Sequence, residues 1–248
     1  MPKAGGSPTV LAARDFPQAL AVDATTLYWA WSTLNKGEIL SMPKGGGSST
    51  TLATVDGTPR SIAVDTNNIY WATVDRGDVS EVAKSGGRVF TLASNQASPV
   101  GIATLTGNVC WTNTDAGKSA GSVVCNNLTM ADHLLSPVGI VITNGAIFWA
   151  GNGGASIDSV PQGGGQVRTL ASGFGGGGNV RNSTAVVTDR ESIYWAGTDV
   201  AAGVGVVLRV GINGGATTTL FQGRASSVAV DDVAVYWVGT NEIWRLAK

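Results

Sequence analysis

The strongest constraint on the fold is a two-residue pair, an aromatic residue followed by tryptophan, that recurs through the whole sequence. Its six copies are Tyr28-Trp29, Tyr70-Trp71, Cys110-Trp111, Phe148-Trp149, Tyr194-Trp195 and Tyr236-Trp237, with cysteine in the first place once. Successive copies are 42, 40, 38, 46 and 42 residues apart. Periods of about 20 to 50 residues mark propellers and solenoids, in which each repeat buries its apolar faces against its neighbours. The chain is therefore predicted to be an array of six units.

Each unit divides into four short β-type runs separated by turn residues. In the second unit these runs are residues 62–64, 69–73, 79–83 and 89–93, with an Asp/Asn-rich turn after the first and a glycine doublet after the third. The sequence lacks the 3.6-residue apolar spacing of helical solenoids. Four-stranded antiparallel sheets that repeat every ~40 residues are the blades of a β-propeller. We predict an all-β, six-bladed β-propeller that forms one domain over residues 1–248.

The two ends of the sequence complement each other. The last segment, EIWRLAK at 242–248, matches EILSMPK at 38–44, which corresponds to a third strand. The first segment, MPKAGGSPTVLAA, matches MPKGGGSSTTLAT at 42–54, which corresponds to a turn and a fourth strand. We expect the strand at residues 9–12 to complete the sixth blade and close the ring, because closure removes two exposed sheet edges.

The repeat also resembles a known family. The motif in the second unit is Pro59, Ile62-Ala63-Val64-Asp65, Ile69-Tyr70-Trp71, Gly77, Val79, Gly86-Gly87 and Leu92. It resembles the YWTD six-bladed propellers of low-density-lipoprotein-receptor-type ectodomains over essentially the whole chain, and it is similar to extracytoplasmic bacterial propellers. The resemblance implies a six-bladed ring. No unit carries the aspartate that follows Tyr-Trp-Thr in that family.

Two cysteines lie in the third unit. If the second and third strands of unit two pair so that Val74 faces Gly77, Tyr70 lies opposite Glu81, and the corresponding residues of unit three are Cys110 and Cys125. Directly opposed residues in an antiparallel pair come close enough for a disulfide. We predict this bond, with two buried free thiols as the alternative. A disulfide indicates an oxidising, extracytoplasmic compartment: secreted, periplasmic or at the cell surface.

Other repeated residues have structural and functional interpretations. The aromatic pairs are expected in the core between blades, with carbohydrate stacking as the alternative.

Four units carry an aspartate five residues before their tyrosine: Asp23, Asp65, Asp189 and Asp231. We expect them to cap the turn after the first strand, because one carboxylate per turn is too few ligands for calcium.

Known catalytic and metal-binding patterns are missing from the sequence. The only histidine is His133, expected at the surface, so multi-histidine metal sites and a zinc quartet are excluded. The glycine clusters have no phosphate-loop ending and are interpreted as turns. A net charge of -1 gives no basic field for nucleic acid. No apolar run approaches the ~20 residues that span a bilayer. We expect no metal, no cofactor, no nucleic-acid partner and no membrane insertion.

The variable loops are the place where binding is expected, because the rest of the scaffold repeats. They join successive blades and connect second to third strands, at one mouth of the central tunnel. The candidate ligand-binding residues are Gln18, Arg60, Asp75, Arg76, Asp115, Arg181, Asn182, Asp199 and Arg224.

Three functions remain open from the sequence. The preferred one is a secreted or cell-surface recognition propeller, a monomer that binds a glycan or a protein. A hydrolase or lyase at the tunnel mouth is the second. It has few groups to work with, because the innermost strand starts hold one charged residue, Arg60, among six. The third is a structural scaffold domain of a longer repeat protein.

Overall fold

The computed structural model describes residues 11, 17–33, 36–114, 120–143, 145–151, 155–172, 185–199, 204–223, 225, 227–238 and 243–248, with the side chains of 197–199 left out. Strands account for all the regular secondary structure in these ranges. They are β1 (Pro17–Val22), β2 (Thr26–Ser32), β3 (Lys36–Pro43), β4 (Thr50–Asp56), β5 (Pro59–Val64), β6 (Asn68–Thr73), β7 (Asp78–Ala83), β8 (Phe90–Ala93), β9 (Pro99–Leu105), β10 (Asn108–Asn113), β11 (Gly121–Cys125), β12 (Leu128–Leu134), β13 (Ile140–Ile142), β14 (Ala146–Gly151), β15 (Ser156–Pro161), β16 (Arg168–Ser172), β17 (Val186–Thr188), β18 (Ser192–Asp199), β19 (Val204–Gly211), β20 (Thr218–Gln222), β21 (Ser227–Val230), β22 (Ala234–Val238) and β23 (Ile243–Ala247).

The strands form six antiparallel sheets in which sequence neighbours pair. Sheets 1 to 5 contain four strands each, β1–β4, β5–β8, β9–β12, β13–β16 and β17–β20, and sheet 6 contains β21–β23. The predicted all-β class and the four-run unit are confirmed. In the second unit, the first strand begins at Pro59, three residues before the predicted start, because Pro59 pairs with Thr73 across a bulge.

The sheets follow one another as a series with their first strands side by side. β1 lies beside β5, β5 beside β9, β9 beside β13, β13 beside β17 and β17 beside β21. Among the described residues, β21 of sheet 6 does not lie beside β1 of sheet 1 in the same way. The predicted ring-closing strand at residues 9–12 lies outside the described residues, except for Leu11.

The core lies between successive sheets, and the aromatic pair supplies both of its sides. Adjacent residues of a strand point to opposite faces, so the two residues of a pair can pack against different neighbouring sheets. In sheets 2 to 5 the first residue faces the next sheet and the tryptophan faces the preceding one. Tyr28 and Ala30 of sheet 1 pack with Ile62 and Trp71 of sheet 2. Trp71, Trp111, Trp149 and Trp195 are among the largest fully buried side chains. The predicted core role of the pairs is confirmed.

The predicted disulfide is also confirmed. Cys110 in β10 lies directly opposite Cys125 in β11, and the two residues are bonded with a Cα–Cα distance of 4.0 Å. The bond ties the second strand of sheet 3 to the third, in the unit that departs most from the repeat. Across the described ranges, the structure contains no helix with the length and apolar character needed to cross a membrane.

Candidate functional site

The antiparallel order divides the connections into two faces. The upper face carries the loops between sheets and the loops that join second to third strands. The lower face carries the hairpin turns between first and second strands and between third and fourth strands. Of the predicted ligand-binding residues that the structure describes, all lie on the upper face by this topology: Gln18, Arg60, Asp75, Arg76 and the backbone of Asp199.

Bulges at the starts of the first strands shape the upper face. The register of β1 with β2 skips Gln18, and that of β5 with β6 skips Arg60. The pairing of β9 with β10 skips Val100 at the same place. A bulge turns its extra side chain away from the regular alternation of the strand. Arg60 is exposed and Gln18 is half-buried.

The loop that leads into Arg60 is held by the neighbouring loop of sheet 2. The backbone N–H of Thr58 donates to Asp75 Oδ1 at 2.8 Å, and the Thr58 hydroxyl donates to Asp75 Oδ2 at 3.3 Å. The Val74 N–H donates to the Thr58 carbonyl oxygen at 3.3 Å. Asp75 therefore positions the loop, and its carboxylate is already engaged by two donors.

Gly57 makes this close approach of the two loops possible. Its φ is +122°, a conformation that favours glycine. A Cβ at this position would lie 2.7 Å from both Asp75 Oδ1 and Thr73 Cγ2. The tight junction leaves Asp56 and Arg76 at the surface, where Arg76 Nη2 lies 3.2 Å from Asp56 Oδ2. Because both side chains are more than half exposed, this ion pair adds little stability and its groups stay accessible.

The structure therefore brings three of the predicted residues, Arg60, Asp75 and Arg76, into one pair of loops. Asp199 ends β18, and its side chain is not among those described. The remaining candidates, Asp115, Arg181, Asn182 and Arg224, lie outside the described residues. Asp56 is an exposed member of the same loop pair.

On the lower face, the repeated aspartates cap their turns as predicted. Asp23 Oδ1 accepts from the Thr25 and Thr26 amides, and Asp65 Oδ1 accepts from the Asn67 and Asn68 amides. Asp189 and Asp231 make the equivalent pairs of bonds.

The second oxygen of each aspartate has a partner that the sequence analysis missed. In four units the tyrosine hydroxyl donates to the Oδ2 atom of the aspartate five residues before it. The pairs are Tyr28 with Asp23, Tyr70 with Asp65, Tyr194 with Asp189 and Tyr236 with Asp231. The signal was present in the repeat, since the two units that lack the aspartate also lack the tyrosine hydroxyl. Those units have Leu105 with Cys110 and Thr143 with Phe148.

Lysines from the following sheet complete two of these clusters. Lys84 Nζ lies 2.7 Å from Asp23 Oδ2, and Lys248 Nζ lies 2.6 Å from Asp189 Oδ2. The Lys84 bond is the largest influence that lowers the Asp23 pKa far below its usual value. At Asp189 desolvation opposes ionisation, but the bonds from Lys248, Tyr194 and two amides outweigh it and lower the pKa to about 2.

The tyrosine hydroxyls respond in the opposite direction. Burial first, and then the bond to Asp65, raise the pKa of Tyr70 to about 12. Burial and the bond to the paired aspartate likewise raise the pKa of Tyr28 and of Tyr194. These tyrosines stay protonated and act as hydrogen-bond donors at neutral pH.

Metal-ligating groups do not gather anywhere in the part of the chain that the structure describes: no cluster of three or more His, Cys, Asp or Glu is found there. His133 is exposed, as expected.

Comparisons with known proteins identify the fold. No family model matches the sequence, and no curated protein sequence matches it. A chain of a nidogen/laminin complex is similar with a TM-score of 0.63 and 19% identity, over 84% of this chain and 79% of that one. The computationally designed protein Ika8 is similar with a TM-score of 0.66 and 14% identity, over 94% and 71%. Together with the six-sheet series, these likenesses establish that the chain folds as a β-propeller.

Proposed function

We propose that the chain is a monomeric recognition module outside the cytoplasm that binds a glycan or a protein on the upper face of a closed, six-bladed ring. The observation that carries this proposal is the upper-face loop pair, which holds Arg60, Asp56 and Arg76 exposed on a rigid base. Exposed polar groups on a preorganised scaffold lower the entropic cost of binding.

Two further observations support this role. The disulfide is typical of proteins from oxidising compartments. One similar fold was solved within a nidogen/laminin complex, that is, within an assembly of proteins.

Exposed apolar side chains support closure of the ring between sheets 6 and 1. Leu20 is 67% exposed, whereas the residues at its repeat position in the other sheets are at most 9% exposed: Ile62, Ile102, Ile140, Val186 and Val228. On sheet 6, Ile243 is 66% exposed, whereas its counterpart Ile39 is 0% exposed.

These two exposed surfaces are complementary halves of one junction. Leu20 lies in the same cross-strand row as Trp29, on the side that faces a preceding sheet. Ile243 lies opposite Val238, on the side that faces a following sheet. At every other junction such sides pack against each other, so contact between sheets 6 and 1 would bury both.

The position of Leu11 supports a fourth strand for sheet 6 at the start of the chain. Leu52, in the fourth strand of sheet 1, lies beside Gly86 of sheet 2: a Cβ added at Gly86 would lie 3.7 Å from Leu52 Cδ2. Leu11 lies beside Gly46 of sheet 1 in the same way, since a Cβ added at Gly46 would lie 3.5 Å from Leu11 Cδ2. This is the position expected of a fourth-strand leucine if the start of the chain forms a strand of the sheet that precedes sheet 1.

The binding proposal is tested with paired arginine variants of the full chain. A glycan array and immobilised laminin are probed with the parent protein, with Arg60→Ala on the upper face and with Arg88→Ala in the β7–β8 turn on the lower face. We expect a parent signal that Arg60→Ala lowers at least about tenfold, as for a lost charged hydrogen bond, and that Arg88→Ala leaves unchanged. A signal that survives Arg60→Ala, or that depends on Arg88, would refute the site.

A further inference from the structure

The junctions between sheets on the lower face differ in how they are closed. Each junction is formed by the first turn of one sheet and the end of the third strand of the next. Between sheets 1 and 2, Lys84 reaches Asp23, and between sheets 5 and 6, Lys248 reaches Asp189. In both cases the lysine also lies over the ring of the tyrosine bonded to that aspartate. The lysine therefore fills the space between the sheets.

Between sheets 4 and 5, all three members of this cluster are replaced. Thr143 stands at the aspartate position, Phe148 at the tyrosine position and Ile212 at the lysine position. A cleft of about 680 Å³ opens there, lined by these three residues together with Val160, Leu170 and others. Small-molecule sites commonly have volumes of about 300 to 1,000 Å³.

The other two junctions without a lysine have smaller cavities. The cavity between sheets 2 and 3, lined in part by Asn127, measures about 220 Å³, and the one between sheets 3 and 4, lined in part by Gln162, measures about 140 Å³. The junction between sheets 3 and 4 also lacks all three members of the cluster, with Leu105, Cys110 and Gln162 in their places, so loss of the cluster alone does not set the size of a cavity. The cleft between sheets 4 and 5 is distinguished by its size and by the residues that line it.

Two arginines line the large cleft, and both are unique among the repeats. The position of Arg168 is otherwise occupied by Thr9, Thr50, Phe90, Leu128 and Thr218, and that of Arg190 by Ala24, Thr66, Thr106, Asn144 and Asp232. Arg168 is on the outer strand of sheet 4 and Arg190 is in the first turn of sheet 5, so they flank the cleft from opposite sides.

The electrostatic character of the cleft is positive. Neither the Arg168 nor the Arg190 side chain makes a hydrogen bond or ion pair with another described residue. The described lining contains no aspartate or glutamate. An apolar floor flanked by two uncompensated guanidinium groups is complementary to a molecule with an apolar body and a carboxylate, which arginine binds in bidentate geometry.

We infer that the cleft between sheets 4 and 5 is a binding site for a small amphiphilic carboxylate, such as a fatty acid. The apolar body lies against Phe148, Leu170 and Ile212, and the carboxylate lies at the arginine rim. This site is on the face opposite Arg60, so it does not depend on the recognition site proposed above.

Titration calorimetry with three probes of one chain length tests the ligand class. Dodecanoate carries the negative charge, dodecanol has no charge and dodecyltrimethylammonium carries a positive charge. We expect dodecanoate to bind with one-to-one stoichiometry and at least about tenfold more tightly than dodecanol, and the cation to bind most weakly. Equal affinity for dodecanoate and dodecanol would overturn the inference.

Variants locate the binding on the chain. Arg168→Gln and Arg190→Gln are each expected to weaken dodecanoate binding about tenfold and to leave dodecanol binding unchanged. Arg209→Gln, an exposed arginine on the junction between sheets 5 and 6, is the matched control and is expected to have no effect. Parent-like dodecanoate affinity in the double variant Arg168→Gln/Arg190→Gln would place binding elsewhere and overturn the inference.

A triple variant closes the cleft without removing either arginine. Thr143→Asp, Phe148→Tyr and Ile212→Lys together rebuild the cluster of the lysine-closed junctions. We expect this protein to lose at least about tenfold in dodecanoate affinity with an unchanged or higher melting temperature. Retained affinity in a folded triple variant contradicts the proposed location. If it does not fold, the arginine variants decide the question.

Discussion

Lys84 Nζ lies 2.7 Å from Asp23 Oδ2 and thereby joins the end of the third strand of sheet 2 to the first turn of sheet 1. Both side chains are about one-fifth to one-quarter exposed, and the ammonium also lies 5.4 Å from the centroid of the Tyr28 ring. The contact is intermediate between an exposed ion pair and a buried one. It links two sheets that backbone hydrogen bonds do not join.

A double-mutant cycle measures this link. Lys84→Met removes the charge, and Asp23→Asn keeps an oxygen for the turn amides. We expect Lys84→Met to lower the free energy of unfolding by about 1 to 2 kcal/mol in the parent, and by much less in the Asp23→Asn background. Urea unfolding of the four proteins gives the coupling, with the exposed Lys36→Met as control. A coupling near zero would show that the contact does not stabilise the junction.

Acid should weaken the junction between sheets 5 and 6. The Asp189 pKa is about 2 in the folded protein, because the bonds from Lys248, Tyr194 and the turn amides outweigh desolvation. The unfolded value is about 3.9, so the group stabilises the fold above that pH, by about 2 kcal/mol. This stabilisation is lost as the pH falls from about 4 to about 2. Asp189→Asn and Lys248→Met should both flatten the pH dependence of the unfolding free energy in this window. Unchanged acid profiles in both variants would contradict the assignment.

Replacing Gly57 with alanine is predicted to destabilise the fold. The added Cβ would lie 2.7 Å from Asp75 Oδ1 and from Thr73 Cγ2, on a backbone with φ of +122°. We expect Gly57→Ala to lower the free energy of unfolding by about 1 to 3 kcal/mol, because strain and the clash add. Gly45→Ala is the control, since no atom lies within 4 Å of its Cβ position and its φ needs no glycine. Equal stability of the two variants would mean that the upper loops are not tightly packed.

The sequence predicted what the repeat itself determines. Period and alternation were enough for the strands, for the burial of Trp71 and Trp111, and for the opposition of Cys110 and Cys125, because each follows from the register within one sheet. The Lys84 contact with Asp23 depends on how one sheet sits on the next, which the period does not contain. The cleft at Ile212 is a difference between repeats, and it becomes visible only when the lysine-closed junctions are known.

The least determined junction, between sheets 6 and 1, has a direct covalent test. By the repeat, Thr9 corresponds to Thr50 and Arg245 to Ser41, and Ser41 lies opposite Thr50 in sheet 1. If the start of the chain completes sheet 6, the double variant Thr9→Cys/Arg245→Cys should form an intrachain disulfide in mild oxidant, seen as a faster band on a nonreducing gel.

The internal pair Ser41→Cys/Thr50→Cys is the positive control, and Thr9→Cys/Ser41→Cys is the negative control, since closure puts these residues in different sheets. Cross-linking should also raise the melting temperature, because it constrains the unfolded chain over almost its whole length. Light scattering of the parent should give the monomer mass. Disulfide-linked dimers with no intrachain product, together with a dimer mass for the parent, would instead assign Leu20 and Ile243 to an interface between two chains.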